Sequence, residues 1–295
     1  MTVEAMAVAV TPLTPAVGAE MGNVDLTALS ARDFAEIEQA WNRYSVLLFR
    51  DQHLSDDDLL AFSRRFGELD PPPNQEHGRQ SPLGYPDIYV VSNVLDAKGD
   101  PIGALGAGEA VWHTDMSYLD LPPDASMLYA LEIPPTGGNT YFCGMQAVWE
   151  ALPQALKAKI GSRRIKHDGT YNSGGFVRKG VTPTDDPHQA PGAWHPAVCV
   201  HPVTGEPALY LGRRRNSYVE GLDPDQSNAL LDELWAFVDS PTFVYGHRWR
   251  VGDLVLWDNR STMHRRDPFE NSARRVMHRT QIKGKSQPAA YVAAA

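Results

Sequence analysis

Three groups of residues in this 295-residue chain have types and spacings suited to chemistry. The first is VWHTDMSY (111–118). Residues i and i+2 of an extended segment point to the same side. His113 and Asp115 can therefore offer an imidazole and a carboxylate to one point. An H-x-D triplet alone arises often by chance, so it needs company. The second group, DLVLWDNRSTMHRRDPF (253–269), reads as a strand running into WDNR, with His264 at the start of a loop. A lone histidine there is more often structural. Two histidines with one carboxylate, however, make the facial triad of non-haem iron(II), which leaves coordination positions open. The third group is ARRVMHRTQIKG (273–284). On a strand, Arg275, Met277, Arg279 and Gln281 share one face, and Val276 and Ile282 lie on the other. Two inward arginines are costly to bury unless they meet anions. A guanidinium also matches a carboxylate through two parallel hydrogen bonds. The bland alternative is a solvated basic edge strand.

These groups need a scaffold, and the pattern predicts one rich in β-structure. ARDFAEIEQAWNR (31–43) places Phe34, Ile37 and Trp41 at helical spacing. VLLFR (46–50) reads as a buried strand, and Ser55 followed by three acids reads as a helix start. Strands are expected over 88–94, 126–133, 139–142, 197–200, 208–212, 243–249, 253–258 and 274–284. Helices are expected over 145–160 and 222–240. The stretch 169–193 is rich in Gly, Pro, Thr and Asp and lacks periodicity, which suits an active-site lid. The expected fold class is mainly β with flanking helices, as a closed or sandwiched core in a single domain spanning 1–295, with flexible ends at 1–12 and 286–295. Strict βα alternation, GxGxxG and GxxxxGK[ST] are absent, which disfavours nucleotide-binding folds.

Composition narrows the class further. Hydrophobic residues at 42% and charged residues at 21% fit a soluble globular chain large enough to bury a core without staples. A net charge of −9 argues against a broad nucleic-acid surface. Cys143 and Cys199 form no CxxC and favour a reducing cytoplasm. The N-terminus lacks a basic n-region, and no apolar run reaches the roughly 18 residues of a membrane span. A cytoplasmic protein without membrane or nucleic-acid partners is expected.

Six segments in order make the chain resemble the taurine dioxygenase (TauD/TfdA) family, which includes the aryloxyalkanoate dioxygenases. They are FSRRFGELD (62–70), WHTDMSY (112–118), PPTGGNTYF (134–142), HPVTGEPALYLG (201–212), GDLVLWDNRSTMHR (252–265) and RRVMHRTQIKG (274–284). The resemblance implies a double-stranded β-helix (jelly-roll) core. It implies Fe(II) bound by His113, Asp115 and His264, with 2-oxoglutarate and O2 as cosubstrates. Arg275, eleven residues after His264, matches the arginine that clamps the distal 2-oxoglutarate carboxylate, and Thr140 matches the threonine that helps hold it. The implied reaction is decarboxylation of 2-oxoglutarate to succinate and CO2, coupled to hydroxylation of a substrate C–H bond.

The resemblance also implies a small anionic substrate: a carboxylate, sulfonate, sulfate ester or aryloxyalkanoate. Arg279 matches the arginine that binds its acidic group, and Tyr118 stands where an aromatic residue faces it. Arg215 borders the substrate pocket in relatives and is a candidate second anion contact; a solvated basic turn over Arg213–Arg215 is the alternative. Tyr171 and Asn172, at the start of the lid, are candidate substrate contacts. Two departures argue against taurine itself. Proline-rich sequence stands where taurine enzymes carry a sulfonate-binding histidine, with His77 a few residues later. Glu109 stands where those enzymes place an asparagine toward the substrate. Family members form dimers and tetramers, so a homo-oligomer is expected. Two rival functions accommodate the same residues: a non-catalytic metal- or ligand-binding β-helix, and a zinc hydrolase using the same three ligands. The zinc reading gives Arg275 and Thr140 no role and lacks a positioned general base.

Overall fold

In the strand Val46–Phe49 every residue is buried, although adjacent side chains on a strand point to opposite faces. Both faces of this strand must therefore be covered. A computed structural model, which describes residues 7–71, 81–108, 110–172, 174–184 and 186–292, shows how. Leu47 and Phe49 pack on one side with Ile37, Trp41, Leu59 and Phe62 from two helices, Ala31–Tyr44 and Asp56–Arg64. Val46 and Leu48 face the other way, into an interior shared with Leu128, Phe142, Trp257 and Met277. Both helices start with a serine that caps the backbone of an aspartate three residues on, while that aspartate bonds back to the serine.

The major sheet has eight strands, in the spatial order Ala9–Pro12, Ala19–Gly22, Val46–Phe49, Leu254–Asp258, Ala125–Glu132, Val276–Ile282, Tyr89–Ser92 and Ala104–Leu105. Facing it is a four-stranded sheet, in the order Val244–His247, Thr140–Gly144, Thr262–Arg266 and Ala110–His113. Side chains from both sheets meet between them: Phe142 of the minor sheet lies 5.6 Å, ring to ring, from Trp257 of the major sheet. This is a mainly β, double-stranded β-helix architecture. The helices Met145–Ala151, Gln154–Ile160 and Pro224–Val238 help cover the outer face of the minor sheet with Val148, Leu156, Ile160, Leu231 and Leu234. Among the described residues, no helix is long and apolar enough to cross a membrane.

Three local expectations need correction. The single helix expected over 145–160 is two, broken at Leu152–Pro153, where Leu152 is extended at ψ 137°. Proline lacks the N–H that a helix needs and pushes the residue before it out of the helical region. The ends are less free than expected. Ala9–Pro12 pairs antiparallel with Ala19–Gly22, and Val200 and Tyr291 donate backbone hydrogen bonds that tie the tail near Ala290 to Val198–Val200. The strand expected over 208–212 shortens to Pro207–Leu209, after which the chain turns toward the site.

Candidate metal and cosubstrate site

His113 is the last residue of its strand, and His264 lies opposite it in register on Thr262–Arg266. His264 is therefore inside a strand and not at the start of a loop. The strand continues because its backbone is paired on both sides, to Ala110–His113 and to Thr140–Gly144. Beyond His113, the N–H of Thr114 donates to the Gly212 carbonyl at 3.0 Å, and Met116 turns the chain with φ 46°. Asp115 is left beside the two imidazoles. One ligand atom from each of the three residues lies within 4.8 Å of the others, and all three side chains are buried.

Each ligand is held by a neighbour. His113 Nδ1 lies 2.7 Å from the Val111 carbonyl, so it donates there and leaves Nε2 for a metal. Asp115 Oδ2 forms an ion pair with Arg279 Nη2 at 2.7 Å and accepts from the Ser126 hydroxyl at 2.9 Å, leaving Oδ1 toward the histidines. Trp257 packs 4.8 Å, ring to ring, from His264. Burial lowers the pKa of His113, and burial together with the neighbouring His113, which would repel a second positive charge, holds His264 well below the usual imidazole range. Burial works against the Asp115 carboxylate, but the Arg279 charge and the two histidines outweigh it and hold it well below the usual carboxylate range. Two neutral imidazoles and one carboxylate are the forms a divalent metal requires. The donor set leaves positions open and suits iron(II).

A small cavity of about 50 Å³ adjoins these ligands, lined among others by Thr140, Arg266, Arg275 and Arg279. Arg275 is 1% exposed, and none of its three guanidinium nitrogens has a hydrogen-bond partner in the protein. Burial, reinforced by the nearby Arg266 charge, pushes it down to about 9. A buried guanidinium in that condition needs an anion to be stable. Thr140 Oγ1 accepts from Trp249 Nε1 at 3.0 Å, which leaves its own hydroxyl proton available to a carboxylate. The distal carboxylate of 2-oxoglutarate fits these residues.

The other sequence candidates are distributed unevenly. Arg279 lies on the inward face as expected, but its Nη2 already serves Asp115 and Ser126. Tyr118 lies under the Arg178 guanidinium, 4.1 Å from ring centre to Cζ. Tyr171 is buried, and Asn172 lines a larger cavity while its Oδ1 accepts from Gly174 and Phe176 N–H groups. Arg215 is exposed and stacks over the Tyr171 ring at 3.5 Å. The buried arginine of that run is Arg213. Glu109 and His77 lie outside the described residues.

Sequence reading missed Ser126, Arg213, Trp249 and Arg266. Arg266 was within reach of the same argument that found Arg275 and Arg279, since it lies two residues from His264 on one strand. Its Nη2 donates to the carbonyls of Leu105 and Gly108. Trp249 and Thr140 are 109 residues apart, and no spacing signal joins them.

Comparison with known proteins agrees with this geometry. Residues 9–281 match the family described as "Taurine catabolism dioxygenase TauD, TfdA family". The chain is 37% identical over 286 residues to an alpha-ketoglutarate-dependent 2,4-dichlorophenoxyacetate dioxygenase of Cupriavidus pinatubonensis, covering 93% of this chain and 97% of that one. It is 30% identical over 298 residues to an (S)-phenoxypropionate/alpha-ketoglutarate-dioxygenase of Sphingobium herbicidovorans, covering 93% and 94%. Among solved structures, AAD-2 in complex with Mn(II) and N-oxalylglycine superposes with a TM-score of 0.77 at 30% identity, covering 96% of this chain and 100% of that one. The chain belongs to the TauD/TfdA family and is a non-haem dioxygenase that depends on Fe(II) and 2-oxoglutarate.

Proposed function

We propose that this enzyme hydroxylates a small anionic substrate with an apolar body, of the aryloxyalkanoate kind. The observation that carries the reading is a pair of buried arginines, Arg213 and Arg279, whose charges are felt by the metal ligands in addition to the Arg275 and Thr140 pair suited to 2-oxoglutarate, with Arg279 lining the same small cavity as that pair. Cations buried beside a metal site favour an acidic ligand. An apolar body has room as well. A cavity of about 720 Å³ is lined by Tyr89, Leu105, Ala107, Asn172, Phe176 and Val177, and it shares Leu105 with the small cavity at the ligands.

In this reading His113, Asp115 and His264 hold iron, and Arg275 with Thr140 holds the distal carboxylate of 2-oxoglutarate. The bound iron supplies the oxygen chemistry, in which decarboxylation of 2-oxoglutarate to succinate is coupled to C–H hydroxylation. The protein's own part is positioning and exclusion of water. Ser126 and Arg279 fix the orientation of Asp115, the Val111 carbonyl fixes the tautomer of His113, and Tyr118 and Tyr171 wall the substrate side. The expected setting is cytoplasmic, which suits the free, buried Cys143 and Cys199. The test is succinate release from 2-oxoglutarate across aryloxyalkanoates, alkyl sulfates and alkyl sulfonates. Stimulation by an acidic substrate, and none by its neutral amide, is the expected result. Turnover that prefers neutral substrates throughout would refute the reading.

A further inference from the structure

We infer that Asn259 is a positioning residue for the metal centre. With Trp257 it dictates where the Ser126 proton points, and so which oxygen of Asp115 is left for the metal. This rests on the reading of Asp115 as a metal ligand.

Trp257 and Ser126 stand opposite each other on the neighbouring strands Leu254–Asp258 and Ala125–Glu132. Asn259 lies in the turn just beyond the first of these, and its backbone N–H still bonds to the Asp124 carbonyl at 2.9 Å. Trp257 and Asn259 are 1% exposed and Ser126 is fully buried, so water does not compete for their polar atoms. An indole N–H can only donate. Trp257 Nε1 donates to Asn259 Oδ1 at 3.0 Å, and turning the amide over would set two donors against each other. Asn259 Nδ2 is therefore held toward Ser126 and donates to its Oγ at 3.2 Å. Arg279 Nη2 donates to the same oxygen at 3.1 Å. A hydroxyl has two acceptor lone pairs and one proton. Both lone pairs are filled, and the proton is directed to Asp115 Oδ2 at 2.9 Å.

The consequence lies at the metal. Oδ2 is taken up by the Ser126 proton and by the Arg279 ion pair, which leaves Oδ1 as the single donor of Asp115. A carboxylate that turned both oxygens to a metal would fill a position that the facial arrangement keeps open. Arg279 supplies charge to Oδ2, but without the Asn259 donor the Ser126 hydroxyl is free to rotate its proton elsewhere. The Trp257 ring also packs 4.8 Å from that of His264. One indole thus sets two of the three ligands, His264 by contact and Asp115 through Asn259 and Ser126.

The measurement is a double-mutant cycle on Fe(II) affinity, read by anaerobic calorimetric titration. Ser126→Ala removes the proton. Asn259→Leu replaces the amide with a side chain of similar size that neither donates nor accepts. Each should weaken Fe(II) binding by about tenfold, the usual effect of losing an outer partner of a metal ligand. In the Ser126→Ala background, Asn259→Leu should cost less than about twofold more, because it acts through the missing hydroxyl. Co(II) loaded in place of iron gives a second readout. Its ligand-field absorption should shift in the same sense in both single variants, with no further shift in the double. Trp257→Phe keeps a ring against His264 and removes the N–H, so it runs the same cycle if Asn259→Leu does not fold. Losses that multiply would make Asn259 a packing residue and overturn the inference. So would wild-type affinity and spectrum in Asn259→Leu. Asp115→Ala separates the two levels: if it binds Fe(II) as the wild type does, the ligand assignment itself fails. Weak binding by Asp115→Ala with independent losses in the cycle overturns the role of Asn259 alone.

Discussion

At the scale of single residues, the site divides between groups that touch the metal and groups that set them. Removing either histidine removes a donor. His113→Ala or His264→Ala should nearly abolish Fe(II) binding in an anaerobic calorimetric titration, and unchanged affinity in both would remove them as ligands. Arg275→Ala should raise the KM for 2-oxoglutarate steeply. Truncating a buried charged partner costs about 2–5 kcal/mol, or tens- to thousands-fold. A change confined to the prime substrate would reassign Arg275. Much of this was legible in the sequence, because period-two alternation is a rigid rule. It put Met277 and Arg279 on one face of Val276–Ile282, whereas Asp115 lies in a turn beyond its strand and Arg275 precedes a register shift at Val276–Met277, so both reach the site through tertiary position. Arg213 was not legible. It stands in a run of three arginines where the chain has no regular period, and only the tertiary position of Gly212 decides which of the three is buried.

At the scale of elements, the stretch 169–193 is more structured than its composition suggests. A bridge joins Tyr171 to Val177, Arg178 donates its backbone N–H to Thr170, and Ala193 is tied to the Tyr118 carbonyl. The tip is different: Phe176 is 67% exposed, an unusual cost for an aromatic residue. This segment is expected to act as a lid that closes Phe176 and Val177 down on bound substrate. Hydrogen exchange of the anaerobic enzyme loaded with Fe(II) and 2-oxoglutarate should show new protection over this segment when substrate is added. High protection beforehand, or no change, would make it a fixed surface excursion. The elements themselves were mostly legible where hydrophobic runs are long, as in 46–49, 125–132 and 254–258. The short strands Arg164–Lys166 and Tyr218–Val219 were not, because pairs this brief are made by their neighbours and not by their own pattern.

At the scale of the whole molecule, Asp258 shows how distant parts are joined. It closes the strand Leu254–Asp258 and is 1% exposed. It accepts from His201 at 2.9 Å and from Arg260 at 2.6 Å, while Arg260 lies over the Trp41 ring of the first helix. Burial opposes its charge, but Arg260 and His201 together hold its pKa well below the usual carboxylate range. A depressed folded pKa stabilises the fold fully above the unfolded value of about 3.9, and that contribution is lost as pH falls through it toward the folded value. Asp258→Asn should therefore destabilise the protein at pH 7 by about 3–5 kcal/mol, the usual cost of breaking a buried pair. In denaturant titrations the gap from wild type should narrow as pH drops below about 4. A gap independent of pH would show that packing, not charge, is at stake.

The position of Val276–Ile282 has a further consequence, which concerns synthesis. It is the last strand of the described chain, yet it occupies the interior of the major sheet, between Ala125–Glu132 and Tyr89–Ser92. A growing polypeptide that has emerged only as far as the second histidine holds all three metal ligands but lacks the strand that joins one edge of the sheet to the rest. Arg275 precedes that strand and Arg279 lies within it, so the arginine proposed to hold 2-oxoglutarate and the one beside Asp115 arrive together with the piece that completes the sheet. Domains generally fold as units during synthesis, and sheets dominated by distant pairings form slowly. On this order of synthesis the site would be completed only with the last strand of the major sheet.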